Sequence, residues 1–200
     1  LAYEIEFQTG DIQRAAARLG RVGRRALPGA IQEALTVLAY RARKAERGNL
    51  QDRLDRPKRF TLQSIAAQTA RRTNDGWESR VYALPAMNAT LTRLELGGNE
   101  QRGLGIADPS ISDRYGSLGR TGRQRLLRRR DTFEGTIKGY SGIWAREAGR
   151  RGVRLLVAYV TDPQWDPMLG FEEVALDVAA TFAQEAQRQL AKRMRQEGYS

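Results

Sequence analysis

Two hundred residues with 40% hydrophobic content suffice for a modest core, and a net charge of +11, carried mainly by arginine, suits the chain to DNA or to an acidic protein surface. With neither cysteine nor histidine, the chain excludes disulfides, thiol nucleophiles, the imidazole base and nearly every zinc arrangement. No run of 18 apolar residues exists, so no membrane-spanning helix is expected, and LAYEIEFQTG does not read as a signal peptide.

The opening LAYEIEFQT alternates briefly and reads as a short strand or an arm. Asp11 is placed to cap a first helix over IQRAAARLGRVGRRAL, in which Ile12, Ala16 and Leu19 fall at helical spacing. Pro28 and Gly29 interrupt it, and Pro28 is suited to the opening turn of a second helix. There Ile31, Leu35, Leu38, Ala39 and Ala42 form one apolar stripe. An N-terminal helix pair is therefore expected.

NLQDRLDRPK is polar, contains Pro57 and reads as a connection. The turn signal TNDG lies between TLQSIAAQTARR and WESRVYAL, which favours a hairpin, and PAMNATLTRLELGG reads as a short helix ended by its glycine pair. Residues 98–118 are then rich in Gly, Ser, Asp and Arg. They form an excursion longer than a compact domain needs, and are expected to be an extended polar loop or arm ordered by a neighbour.

Next comes GSLGRTGRQRLLRRRD, whose six arginines are Arg120, Arg123, Arg125, Arg128, Arg129 and Arg130. A run so dense repels itself unless water, carboxylates or phosphates surround it. All six are candidates to face DNA or a subunit interface, with a solvated surface as the plain alternative. Tyr115 and Phe133 stand at the margins of the run, and no aromatic lies inside it for base stacking.

After Asp131, TFEGTIKGYSGIWAREAGRRGVRLLVAYV contains three short strands separated by Gly-containing turns. VTDPQWDPMLG is a turn region. Phe171, Val174, Val178, Phe182, Ala186, Leu190 and Met194 then recur at three- or four-residue intervals, which predicts one long C-terminal helix lying on the sheet that holds VRLLVAYV. Helices on an antiparallel sheet make an α+β domain, taken as a single domain over 1–200. Trp144, Trp165, Phe171 and Phe182 are the candidate packing or interface residues.

Nothing in the chain assembles a catalytic constellation. Glu172, Glu173 and Asp177 suit the first turn of a helix, Asp162 and Asp166 suit a proline turn, and the glycines of GLGIADPSI and GSLGRTG match no phosphate loop. The reading carries no catalytic residue, no metal ligand and no cofactor.

Taken in order, PGAIQEALTVLAYRARKA, DRPKRFTLQSIAAQTARR, WESRVYAL, LTRLELGGNEQRG, GRQRLLRRR and GIWAREAGRRGVRLLVAYVTDPQWDPMLGFEEVALDVAATFAQEAQRQL resemble the minor tail protein Z family of long-tailed bacteriophages, the tail completion proteins of the neck. The resemblance covers about residues 11–195, and the last segment is its most distinctive part. It implies helices on a curved antiparallel sheet and a structural virion protein, not an enzyme. The implied subunit forms a homo-oligomeric ring at the head-proximal end of the tail, between tail terminator and head connector around the DNA duct, after assembly in the host cytoplasm. GIWARE resembles the strand before a basic turn, Trp165 and Pro167 the link to the final helix, and Phe171 that helix's start. Residues 98–118 depart from the pattern. The other reading, from charge alone, is a nonspecific nucleic-acid-binding protein acting through its arginines, with no small-molecule substrate.

Overall fold

A computed structural model of the chain describes residues 4–8, 20–99, 104–119, 121–147, 149 and 152–196. The fold is α+β, with antiparallel sheets, a long N-terminal helix and C-terminal helices. It divides into two compact units. The first takes the described residues of Leu1–Leu54, Arg59–Leu96 and Pro167–Ser200, and the second those of Asp55–Lys58 and Gly97–Asp166.

The first unit is organised by α1, Gly20–Arg53, a helix of 34 residues. Its buried positions Leu27, Ile31, Leu35, Leu38 and Ala42 repeat every three or four residues, so they form one continuous stripe. The helix runs through Pro28, where the sequence reading places a break between two helices. Proline removes one backbone hydrogen bond and crowds the preceding turn. Ala26 and Leu27 before it and Ala30 and Ile31 after it are all buried, so packing on both sides holds one axis. The expected start of a first helix at residues 11–19 lies outside the described residues.

A short helix, α2 (Arg59–Leu62), leads into the hairpin β2 (Ile65–Thr73) and β3 (Gly76–Ala83), joined through Asn74 and Asp75 as the turn signal predicts. The strand β1 (Glu4–Gln8) pairs with the other edge of β3, giving the order β1-β3-β2. The central strand alternates, and Ser79 reaches α1, its hydroxyl donating to the Leu35 carbonyl at 3.1 Å. Thr36 of α1 accepts from the amide of Ala70 at 3.1 Å. Helix α3 (Pro85–Leu96) follows and ends at the glycine pair.

The second unit holds a two-residue pairing of β4 (Gly98–Asn99) with β9 (Gln164–Trp165), and a four-stranded sheet. That sheet comprises β5 (Leu104–Ala107), β6 (Thr132–Ile137), β7 (Tyr140–Arg146) and β8 (Val153–Val160), in the order β5-β8-β7-β6. The last three are the strands expected after Asp131. Helix α4, Gly122–Leu127, covers one face. Its Leu126 closes a cluster with Ile143, Leu156 and Val157, flanked by Ile111, Leu118, Ala145 and Tyr159.

The stretch 98–118 is a polar loop tied back to its own unit wherever it is described. Leu104–Ala107 pairs with β8, and two aspartates organise the turns beyond it. Asp108 accepts the Ser110 amide at 2.8 Å, and Asp113 accepts the amides of Tyr115 and Ser117, each at 2.9 Å.

In the first unit the C-terminal periodicity folds as two helices, α5 (Phe171–Ala179) and α6 (Phe182–Gln196), not one. The Thr181 hydroxyl donates to the Val178 carbonyl at 2.7 Å and the Thr181 amide bonds the same carbonyl at 3.1 Å, which tightens the chain at that point. The start of α5 is pinned by Glu95 of α3, whose two carboxylate oxygens each accept the Phe171 amide at 3.0 Å. Asn49 donates to the Leu169 carbonyl at 2.7 Å.

The apolar partner of these helices is α1 with the β2–β3 hairpin, and not VRLLVAYV, which is strand β8 of the second unit. Phe182 and Leu190 pack with Trp77 on Leu27, Ile31, Leu35 and Ala70. The buried positions of β8, Leu156 and Val157, are already filled by Leu126 and Ile143.

Candidate interaction surface

The arginine run leaves the loop at Thr121, forms α4 and ends at the turn into β6. Arg120 lies outside the described residues. Leu126 anchors the helix to the sheet, and the Thr132 hydroxyl donates to the Leu126 carbonyl and, at 3.2 Å, to that of Arg129. Those bonds fix the corner from which the remaining five arginines, all exposed, project.

The five fall into two sets. Arg123 donates to the Tyr159 hydroxyl at 3.1 Å and to Glu134 at 2.8 Å, and its guanidinium lies 5.6 Å from the Tyr159 ring centroid. Arg129 grips Asp131 with two nitrogens, at 3.0 and 2.5 Å. Arg125, Arg128 and Arg130 have no acidic partner among the described residues. Arg125 and Arg128 are three apart on one turn, so they share the outward side of the helix whose inward side is Leu126.

Electrostatics follow the same division. The Tyr159 hydroxyl and then Arg123 hold the Glu134 carboxyl below the usual glutamate range. The Arg129 hydrogen bond does the same for Asp131. Burial pushes the Tyr159 phenol up, and a hydrogen bond to Glu134 adds to it. Both carboxylates are therefore ionised at neutral pH and engaged with their arginines.

Further basic groups of this unit lie against aromatic rings. Arg146 sits 5.0 Å from the Phe133 centroid, Arg114 4.7 Å and Lys58 5.8 Å from that of Tyr115. An open groove of about 690 Å³ runs beside Arg123, lined by Gly105, Ser117, Leu118, Val157, Tyr159 and Thr161. Tyr159 is the functional neighbour that sequence spacing does not show, 36 residues from Arg123. The available signal is the two-residue period of a strand, which puts Tyr159 on the same face as Val157, the face that α4 covers.

The four candidate packing residues divide between the two units. Trp144 is buried in β7 and its indole donates to the Gly135 carbonyl at 3.0 Å, while Trp165 is half-buried in β9 of the same unit. Phe171 is buried and Phe182 half-buried in the first unit. Trp144 and Phe171 are among the buried apolar residues of their own units, and Phe182 packs against the core of the first.

Among the described residues no group of three or more carboxylates is arranged to hold a metal ion, and no helix is long and apolar enough to cross a membrane. No protein-family model matches the chain, and neither curated proteins nor solved structures give a significant match.

Proposed function

We propose that the chain is a structural subunit of a long-tailed bacteriophage that completes the head-proximal end of the tail and helps join it to the head connector around the DNA duct. The observation that carries this reading is the ordered resemblance of six segments to the minor tail protein Z family. Its most distinctive segment spans β7, β8, β9, α5 and α6, elements that contribute to both units. The reading requires no turnover: the subunit assembles as a homo-oligomeric ring, meets tail terminator and connector proteins, and leaves a path for DNA. Purified tails labelled by an antibody against this chain test it. Label at the head-proximal end supports the reading, and label elsewhere or nowhere on the particle overturns it.

A second reading, a nonspecific nucleic-acid-binding protein outside any virion, is favoured by the three arginines without acidic partners among the described residues. It predicts a chain that is monomeric and absent from purified particles.

A further inference from the structure

We infer that the arginine run is divided in function: Arg123 and Arg129 fasten the second unit together, while Arg125, Arg128 and Arg130 form a landing edge for the phosphate backbone of duplex DNA. The inference rests on the reading above for the source of the DNA, and deepens it by naming which guanidiniums meet the phosphates.

The first half of the division is geometric. Arg123 joins α4 to β6 through Glu134 and to β8 through Tyr159, and Arg129 closes the corner between α4 and β6 through Asp131. These five side chains satisfy one another in two groups, so neither arginine is available without breaking a bond that shapes the corner. The three others carry positive charge with no acidic partner among the described residues, inside six consecutive positions. Such a set repels itself and gains most from an anion that reaches all three members together.

Arginine's fork fits carboxylate and phosphate equally, so the choice of partner rests on density and surroundings. Duplex DNA presents about one charge per 1.7 Å of axis, so several phosphates lie within the span of one helical turn, about 5.4 Å. A folded acidic protein rarely concentrates carboxylates so closely. Stable protein interfaces also build around an apolar centre. Here the residues between and beside the free arginines are exposed Gln124 and Leu127, and Leu126 faces the sheet. Charge dominates this edge, where Leu127 is the one exposed large apolar side chain among the described residues of α4, and that favours a polyelectrolyte contact over a protein interface. The contact inferred is with the phosphate backbone, which carries no sequence information, so affinity should be indifferent to sequence.

The test is binding of the full chain to a labelled mixed-sequence duplex of about 20 base pairs across a range of salt concentrations. The wild type should lose affinity steeply with salt. The triple variant R125Q/R128Q/R130Q should reduce the magnitude of the log–log slope by about 2 to 3, since each phosphate neutralised contributes about 0.9. The double variant R123Q/R129Q should lower thermal stability and leave the slope within about one of the wild type. The charge-preserving R125K/R128K/R130K should keep the wild-type slope, which separates lost charge from lost fold.

Absence of DNA binding by the wild type overturns the inference. So do an unchanged slope in the triple Gln variant and an equal loss in the double variant. Polyglutamate that displaces DNA at equal charge concentration would show an acidic protein to be the better partner, and also overturns it. None of these outcomes depends on where antibody labels the tail, so a misplaced subunit and a wrongly assigned arginine edge are distinguishable.

Discussion

The guanidinium of Arg193 on α6 lies directly across Gly29 of α1, in the space that a β-carbon at position 29 would occupy. It donates from there to Glu33 at 2.6 Å, one turn further along α1. At the other end of the pair Arg41 donates to Glu185 at 2.8 Å. Rising numbers on α1 therefore meet falling numbers on α6, and the two helices are antiparallel. Glycine at position 29 matters to this packing through space, not through backbone angle, because it sits in the interior of a regular helix.

Two opposing effects meet in Gly29→Ala. Alanine favours a helix interior by about 1 kcal/mol over glycine. The new methyl group must displace the Arg193 head, which is flexible, and loosen its bond to Glu33, a half-exposed pair worth up to about 1 kcal/mol. The single substitution should be nearly neutral, within about 0.5 kcal/mol. In an Arg193→Ala background it should stabilise by about 1 kcal/mol. Urea unfolding of all four forms measures this coupling, and additive effects would show that the guanidinium does not lie on Gly29.

Glu185 gives the first unit an acid sensitivity. Its side chain is 3% exposed, and it accepts from Arg41 at 2.8 Å and from Gln189 at 2.7 Å, with Arg188 at 3.7 Å. Burial alone pushes its carboxyl up, but the Gln189 hydrogen bond and the charges of Arg41 and Arg188 together hold it below the usual glutamate range. A depressed folded pKa means that the unfolded chain takes up the proton first as pH falls. The stabilisation is complete above the ordinary glutamate range and is lost as pH drops through the depressed value. Glu185→Ala should cost about 1.5 to 3 kcal/mol at pH 7, and the gap to wild type should narrow in acid. A pH-independent gap in thermal midpoint would contradict the assignment.

The sequence shows those features whose cause is local. The α1 stripe from Ile31 to Ala42 and the hairpin around Asn74 and Asp75 are periodicity and turn chemistry, and both are present. So are the strands after Asp131. Pro28 misleads because its cost is local while the packing of Ala26, Leu27, Ala30 and Ile31 that overrides it is tertiary. The break at Thr181 hides in an unbroken apolar period, because a hydroxyl bonding the preceding turn leaves the pattern of large side chains intact. Residues 167–196 join the first unit from the far end of the chain, so a reading that moves outward from each residue assigns α5 and α6 to the nearest apolar strand, β8. At the candidate surface, spacing identifies all six arginines and cannot divide them. The division depends on Glu134, Asp131 and Tyr159, brought to α4 by strand pairing.

Gly142 in β7 offers a sharper test of the second sheet. A β-carbon there would run into the backbone carbonyl of Val157 and come within 2.9 Å of Leu155. A neighbouring carbonyl in a paired strand has no free rotation with which to yield, unlike the Arg193 head at Gly29. Gly142→Ala should therefore destabilise by about 3 kcal/mol or more, despite the better strand propensity of alanine. A wild-type denaturation midpoint would show that β7 and β8 do not approach as closely as described.

Leu126 links the core of the second unit to its charged edge. It is 7% exposed and packs on Ile143, Leu156 and Val157, while its neighbours on both sides are exposed. A six-residue helix has little stability of its own, since nucleation alone is unfavourable and most helical stability in proteins comes from packing. Removing the one large buried side chain of α4 should therefore release the helix as well as open a cavity. Leu126→Ala should cost about 2 to 5 kcal/mol, whereas Leu126→Met, nearly equal in volume, should cost less than about 1.5 kcal/mol. Amide exchange in β7 and β8 should accelerate in the alanine variant, and the amides of Arg125 and Arg128, which bond to the carbonyls of Thr121 and Gln124, should lose protection with it. If those two amides stay protected while β7 and β8 are weakened, the helix is held by something other than Leu126 and the arginine edge is not positioned by this core.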